Sequence, residues 1–352
     1  MSLIKQVIMK AKGKSMLLIL CSILVSAVAF GQEKNKGKLA NKPVFSDPIY
    51  DGAADPVIIW NKKEKKWFMF YTNRRATDMT QEGSKWVHGT RIGIAESTDG
   101  GANWKYRDTA NIKYRPTKEY THWAPDVFEH KGVYHMYLTY VPGVFASWNH
   151  PREIIHLTSK DLLNWDYKST LKLVNNNVID ATVYQLPNGT WRLWYNNEKD
   201  GKTIYYADSK DLENWDLKGK VIEERGEGPK VFRWKGKYWM LVDNWAGMSF
   251  YSSDDATTWV KQSGERILEL PGKGKEDQAI GGHADVVVSG DRAFVYYFTH
   301  PGRVTKKYAD NVETRRSVIQ VAELEYKNGI ISVDRDKPVY VKLDKQAINK
   351  RK

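Results

Sequence analysis

Five short stretches of this chain carry an acid or a histidine at the start of an apolar run: Ala54-Asp55-Pro56-Val57, Trp123-Ala124-Pro125-Asp126-Val127, Ile179-Asp180-Ala181-Thr182-Val183, Gly226-Glu227-Gly228-Pro229-Lys230 and Gly282-His283-Ala284-Asp285-Val286. Carboxylates brought together raise one another's pKa, so one acid stays protonated near neutral pH while its neighbour is ionised. Paired acids of that kind suit general acid and base work, including cleavage of a glycosidic bond. A single Gly-Glu-Gly-Pro is as readily a surface turn. The recurrence is what gives each motif weight.

Each motif is followed by a turn and a second aromatic-rich strand, such as Trp67-Phe68-Met69-Phe70-Tyr71 or Trp191-Arg192-Leu193-Trp194-Tyr195. The linking turns carry Asn61, Gly132, Gly189, Gly236 and Gly290, as hairpins require. A third recurrence closes four of the units with Ser-x-Asp and a tryptophan: Trp104, Trp165, Trp215 and Trp259. These four tryptophans read as packing residues. From Asp55 through Asp126, Asp180 and Glu227 to Asp285 the spacings are 71, 54, 47 and 58 residues. Units of this size, built of short strands, predict an all-β, five-bladed β-propeller whose first strands line a central channel.

With five motifs in this order, residues 49 to about 305 resemble glycoside hydrolase family 43 and related five-bladed propeller glycosidases. The resemblance implies an inverting hydrolase of plant or algal polysaccharides. It assigns Asp55 as the general base, Asp180 as the neighbour that orients the acid and tunes its pKa, and Glu227 as the general acid. Base and acid would then stand roughly 6.5–9.5 Å apart. His283 matches a histidine that in many members helps to hold a calcium ion or a water cluster, so the resemblance admits one channel calcium as the sole cofactor, although a lone histidine is more often structural. The third motif reads Ile-Asp-Ala where Ile-Asp-Pro is commoner, which weakens the subfamily and leaves the mechanism.

Loops at the channel mouth should set specificity. The insertions 74–89 and 142–151 offer Arg75, Trp86, His88 and Trp148, and Trp123, Trp245 and Arg303 flank inner strands. Aromatic faces suit sugar stacking and arginines suit carboxylate or sulfate. Blade packing is the competing role for Trp86, Trp148 and Trp245. Asp126 reads equally as a contact to a sugar hydroxyl and as a turn cap beside Pro125.

Lysines 5, 10, 12 and 14 precede an apolar run from Met16 to Phe30, which reads as a signal peptide over residues 1–31. A flexible leader over 32–47, a catalytic propeller over 48–342 and a basic tail over 343–352 complete the expected organisation. Of 352 residues, 55 are Lys or Arg and 42 Asp or Glu; losing four lysines with the signal leaves +9 and no cysteine. A cysteine-free exported protein, periplasmic or secreted, must be held by its core. The positive charge admits an anionic polysaccharide as partner. The lysines cluster in turns and tail without interleaved aromatics, which argues against nucleic acid, and no membrane association is expected after cleavage.

Three other functions fit parts of the pattern. Ser97-Thr98-Asp99-Gly100-Gly101-Ala102-Asn103-Trp104 matches the corner that sialidases repeat, but no arginine triad accompanies it. A propeller phosphorylase would use phosphate in place of the base. A carbohydrate-binding propeller without catalysis would dispense with Asp55, Asp180 or Glu227, and all three are present.

Overall fold

The computed structural model describes residues 37–305 and 307–345. The expected signal peptide, the start of the leader and the end of the tail lie outside them. Five sheets form the five blades of a β-propeller. Blade 1 runs Ala53–Asn61, Lys66–Asn73, Arg91–Ser97 and Lys105–Thr109 outward from the axis. Blade 2 runs Thr121–His130, Val133–Val141, Glu153–Ser159 and Asn164–Thr170, with Asn111–Ile112 added in parallel at its edge. Blade 3 is Val178–Gln185, Trp191–Asn197, Thr203–Ser209 and Asp216–Ile222; blade 4 is Glu227–Trp234, Lys237–Asp243, Met248–Ser253 and Val260–Lys261. Blade 5 starts with Gly281–Ser289, Arg292–Thr299 and Val318–Lys327.

Burial falls from the axis outward, and the sequence follows it. All nine residues of Ala53–Asn61 are buried, whereas Lys105–Thr109 has no buried residue. Inner strands are covered on both faces and read as continuous apolar runs. Outer strands carry the lysines and acids. The first strands of successive blades pack side by side around the ring, as the repeat predicts.

The tryptophan corners act as wedges between blades. Trp104 meets Tyr296 of blade 5, Trp165 meets Phe70 of blade 1, Trp215 meets Tyr137 of blade 2 and Trp259 meets Trp194 of blade 3, each edge to face at 5.7 to 6.2 Å. Each therefore packs on the blade before its own. The corner acids fix the turns: Asp161 accepts the backbone N–H of Leu163 and Asn164, both at 2.8 Å. Such bonds favour the carboxylate, and despite partial burial Asp161 is pulled down to about 2.

Short strands near both edges of the described residues close the ring, some of them within the stretch expected as a leader. Phe45–Ser46 pairs antiparallel with Val318–Lys327 as an outer strand of blade 5, beside Ile330–Val333. Lys38–Leu39 pairs with Tyr340–Val341, and Leu343 is buried in the cluster with Trp60, Trp67 and Tyr296. Alternation over so few residues gives little sequence signal, so polar flanks mask the pairing. Among the described residues helix is limited to single turns, and none is long and apolar enough to cross a membrane.

Candidate active site

Every inner strand breaks register at the same height. The β-bulges fall at Asp55-Pro56, Ala124-Pro125, Asp180-Ala181, Gly228-Pro229 and His283. Asp55, Ala124, Asp180 and Gly228 have φ of 52°, 45°, 59° and 56°. A bulge re-aims the side chain beside it, and aspartate is among the residues that tolerate the left-handed region best. The bulges bring Asp55, Asp180 and His283 to one level of the channel. Glu227, one residue before the blade 4 bulge, sits a step nearer the mouth and is half-buried, while Asp55 and Asp180 are each only 6% exposed.

Neighbouring blades hold these bulges in place. Thr72 accepts the Ala124 N–H at 2.9 Å, Thr139 the Asp180 N–H at 3.1 Å and Asp243 the His283 N–H at 2.7 Å. Each acceptor lies near the end of a second strand and reaches the next blade. In the same position on blade 3, Asn196 donates to the Gly226 carbonyl. Gly226 and Gly228 are required here: a Cβ at Gly226 would stand 2.3 Å from Val242 Cγ1, and one at Gly228 would stand 2.7 Å from the His283 ring.

The acids form an electrostatic unit. Gly228 donates its N–H to Asp180 Oδ2 at 3.1 Å. His283 Nδ1 stands 3.6 Å from Asp55 Oδ1 and 3.7 Å from Asp180 Oδ2, and the Arg74 guanidinium lies 3.3 Å from Asp55 Oδ1. Burial, then the charge of Asp55, raises Asp180 well above the usual carboxylate range. Burial raises Glu227 well above its own, with the charges of Asp180 and Asp243 adding to it. Asp243, directly across the strand pair from Glu227, is raised by burial although it accepts the N–H groups of Trp245 and His283.

The mouth is walled by the two predicted insertions, which join. Ser84 donates its backbone N–H to Ala146 O at 3.2 Å, and the His88 and His150 rings share a 2.8 Å hydrogen bond. Trp123 donates from Nε1 to Val87 O at 2.6 Å. Burial depresses His88 to about 4, so it is a neutral wall residue. Trp148 covers this cluster and is 58% exposed, the one predicted aromatic that lies largely open to solvent. Trp245 is half-buried between Lys202 and Arg225. Trp86 is buried against His300 with the Arg303 and Arg315 guanidiniums over it.

Two expected substrate contacts have other occupations. The Arg75 guanidinium is bound to the carbonyls of His88 and Lys85 at 2.9 and 2.8 Å, so it ties the first loop together. Its neighbour Arg74 is the arginine that reaches the acids. Asp126 is the first residue after its bulge, below the level of Asp55, where it pairs with Lys230 at 3.2 Å and accepts the Val183 N–H. Sequence reasoning also missed Asp243 and the buried pair of Arg152 with Glu198 at 2.5 Å, whose guanidinium feels Asp180 and Glu227.

A channel calcium finds no donor set among the described residues. No three His, Cys, Asp or Glu side chains are grouped to hold a metal there. Calcium takes six to eight oxygens, whereas His283 turns its Nδ1 to the two carboxylates assigned to catalysis. One level below, a lysine ammonium occupies the axis. The residues present do not fit the ion.

A family model described as "Probable glycosyl hydrolase domain", of the group related to glycoside hydrolase family 43, matches residues 35–269. The chain belongs to this family. It is a family 43-related glycoside hydrolase, and an oligo- or polysaccharide substrate follows. No curated protein matches its sequence. Solved structures share the fold of this hydrolase: a thermostable family-43 glycoside hydrolase is 20% identical over 85% of this chain and 98% of its own, with a TM-score of 0.64. An exo-1,5-α-L-arabinanase from a bovine ruminal metagenomic library is 16% identical over 82% and 99%, with a TM-score of 0.56. An endo-1,4-β-xylanase from Bacteroides thetaiotaomicron is 17% identical over 85% and 99%, with a TM-score of 0.58.

Proposed function

We propose that this glycoside hydrolase is exo-acting and inverting, and that it releases a terminal xylose, arabinofuranose, galactofuranose or modified algal sugar from a plant or algal glycan. The observation that carries the reading is the convergence of Asp55, Asp180, Glu227 and His283 from four inner strands onto one end of the channel.

Asp55 takes a proton from water as the water oxygen attacks the anomeric carbon. The glycosidic C–O bond breaks, and Glu227 passes its proton to the leaving oxygen. Burial and the charges of Asp180 and Asp243 keep that proton available. Asp180 holds the Gly228 N–H, so it fixes the backbone that carries Glu227. Arg74 and His283 keep Asp55 aimed into the channel.

The joined loops favour a chain end over a chain running through, because Ser84, Ala146, His88 and His150 close one side of the mouth. Trp148 supplies a stacking face there. Arg74 and Arg303 are the cations that would meet an anionic sugar, Arg303 spending its Nε on the Thr314 carbonyl. Export to the periplasm or medium, read from residues 1–31, belongs to the same proposal.

Proton NMR of the first product formed from an oligosaccharide tests the reading. Inversion gives the anomer opposite to the substrate linkage, released one terminal unit at a time. A retained anomer, or internal cleavage to mixed oligomers, would overturn it.

A further inference from the structure

Lys230 stands where Asp126 and Asp285 stand on their own strands, two residues past the first bulged residue of each. The three side chains meet across the channel. Lys230 Nζ lies 2.7 Å from Asp285 Oδ1 and 3.2 Å from Asp126 Oδ1, and all three residues are buried. The second oxygen of each carboxylate is committed as well: Asp285 Oδ2 accepts the Ile58 N–H at 2.8 Å and Asp126 Oδ2 accepts the Val183 N–H at 2.9 Å.

Those contacts touch every blade. Lys230 belongs to blade 4, Asp285 to blade 5, Ile58 to blade 1, Asp126 to blade 2 and Val183 to blade 3. Blades 2 and 4 are not neighbours in the ring, so the Lys230 to Asp126 bond crosses the axis. A compact ammonium with three donors can serve two carboxylates at once. Without it the two buried carboxylates would lose the cation between them, at a cost far above the worth of the pair itself.

We propose that Lys230 is the resident cation of the channel: a side chain of the protein does the charge-balancing that a bound divalent ion would do, and this hydrolase folds and keeps its site in shape without one. The inference rests on the fold and the ion network, independently of which sugar is cleaved.

Thermal unfolding of the full chain tests it. After dialysis against EDTA the midpoint should match that of untreated protein, and added CaCl2 should not raise it. A midpoint lowered by EDTA and restored by CaCl2 would overturn the proposal. Lys230→Ala should lower the midpoint on the order of 5–10 °C, and CaCl2 should recover part of the loss, because the vacated carboxylates then bind the ion. A midpoint equal to that of the parent would count against it. Should Lys230→Ala fail to fold, Lys230→Met combined with Asp126→Asn and Asp285→Asn decides: removing all three charges should restore a folded, calcium-indifferent protein, and failure of this variant too would contradict the proposal.

Discussion

Asp180 accepts the backbone N–H of Gly228 at 3.1 Å, so the carboxylate of one blade holds the residue that follows Glu227 on the next. The contact is mechanical and electrostatic together, since the charge of Asp180 also raises Glu227. Asp180→Asn should therefore lower kcat and move the alkaline limb of the kcat/KM profile to lower pH, because the acid loses a neighbour that favours its protonated form. A pH profile with the limb unmoved would separate Asp180 from the tuning of Glu227.

Stability should carry the same signature. Glu227 and Asp180 both have folded pKa values raised above those of an unfolded chain, near 4. The folded state then binds their protons more tightly, so the stability these two groups contribute is full below about pH 4 and is lost as pH rises through the raised values. Glu227→Gln and Asp180→Asn should each unfold at a higher urea concentration than the parent at neutral pH, with the gap closing near pH 4. Equal midpoints at both pH values would show that burial of these acids carries no penalty.

Trp148 and Trp123 touch the same aromatic cluster and should behave differently. Exposed Trp148 can lose its ring without disturbing the wall, so Trp148→Ala should raise KM roughly 2- to 10-fold, the worth of one stacking contact, with kcat little changed. Trp123 is buried and bonded to the Val87 carbonyl, so Trp123→Ala should lower kcat as well. Steady-state kinetics on one oligosaccharide compares them.

The blade wedges make a prediction about the fold alone. Trp165 is fully buried and packs edge-on against Phe70 of the preceding blade. Trp165→Ala should cost about 3–5 kcal/mol in urea unfolding, with kcat per folded molecule unchanged. A loss below about 1 kcal/mol would mean that the blades need no wedge.

Much of this arrangement was legible in the chain because it repeats. The aromatic second strands and the Ser-x-Asp corners mark each blade, and the bulge motifs mark its inner strand. Matching acid to acid would set Asp126 at the level of Asp55. Matching Pro56, Pro125 and Pro229 instead sets Asp126 beside Val57 and Lys230, where the structure has it. Arg74, Arg152 and Asp243 left no comparable trace, since they reach the site from strand ends and loops whose mutual distances no spacing encodes. Phe45–Ser46 was missed for another reason: two residues cannot display a strand period, and their partner lies some 270 residues away in sequence, a separation on the order of the whole domain.

Glu227 carries the central claim, that a half-buried glutamate at the mouth of the channel, held in its protonated form, donates to the leaving oxygen. The direct measurement is kcat/KM of Glu227→Gln on two glycosides of the same sugar, one with a poor alkyl leaving group and one with an activated aryl group that needs no proton. The variant should lose about 10²- to 10⁴-fold on the first and little on the second. Parental rates on both, or equal losses on both, would contradict the assignment of Glu227 as the acid.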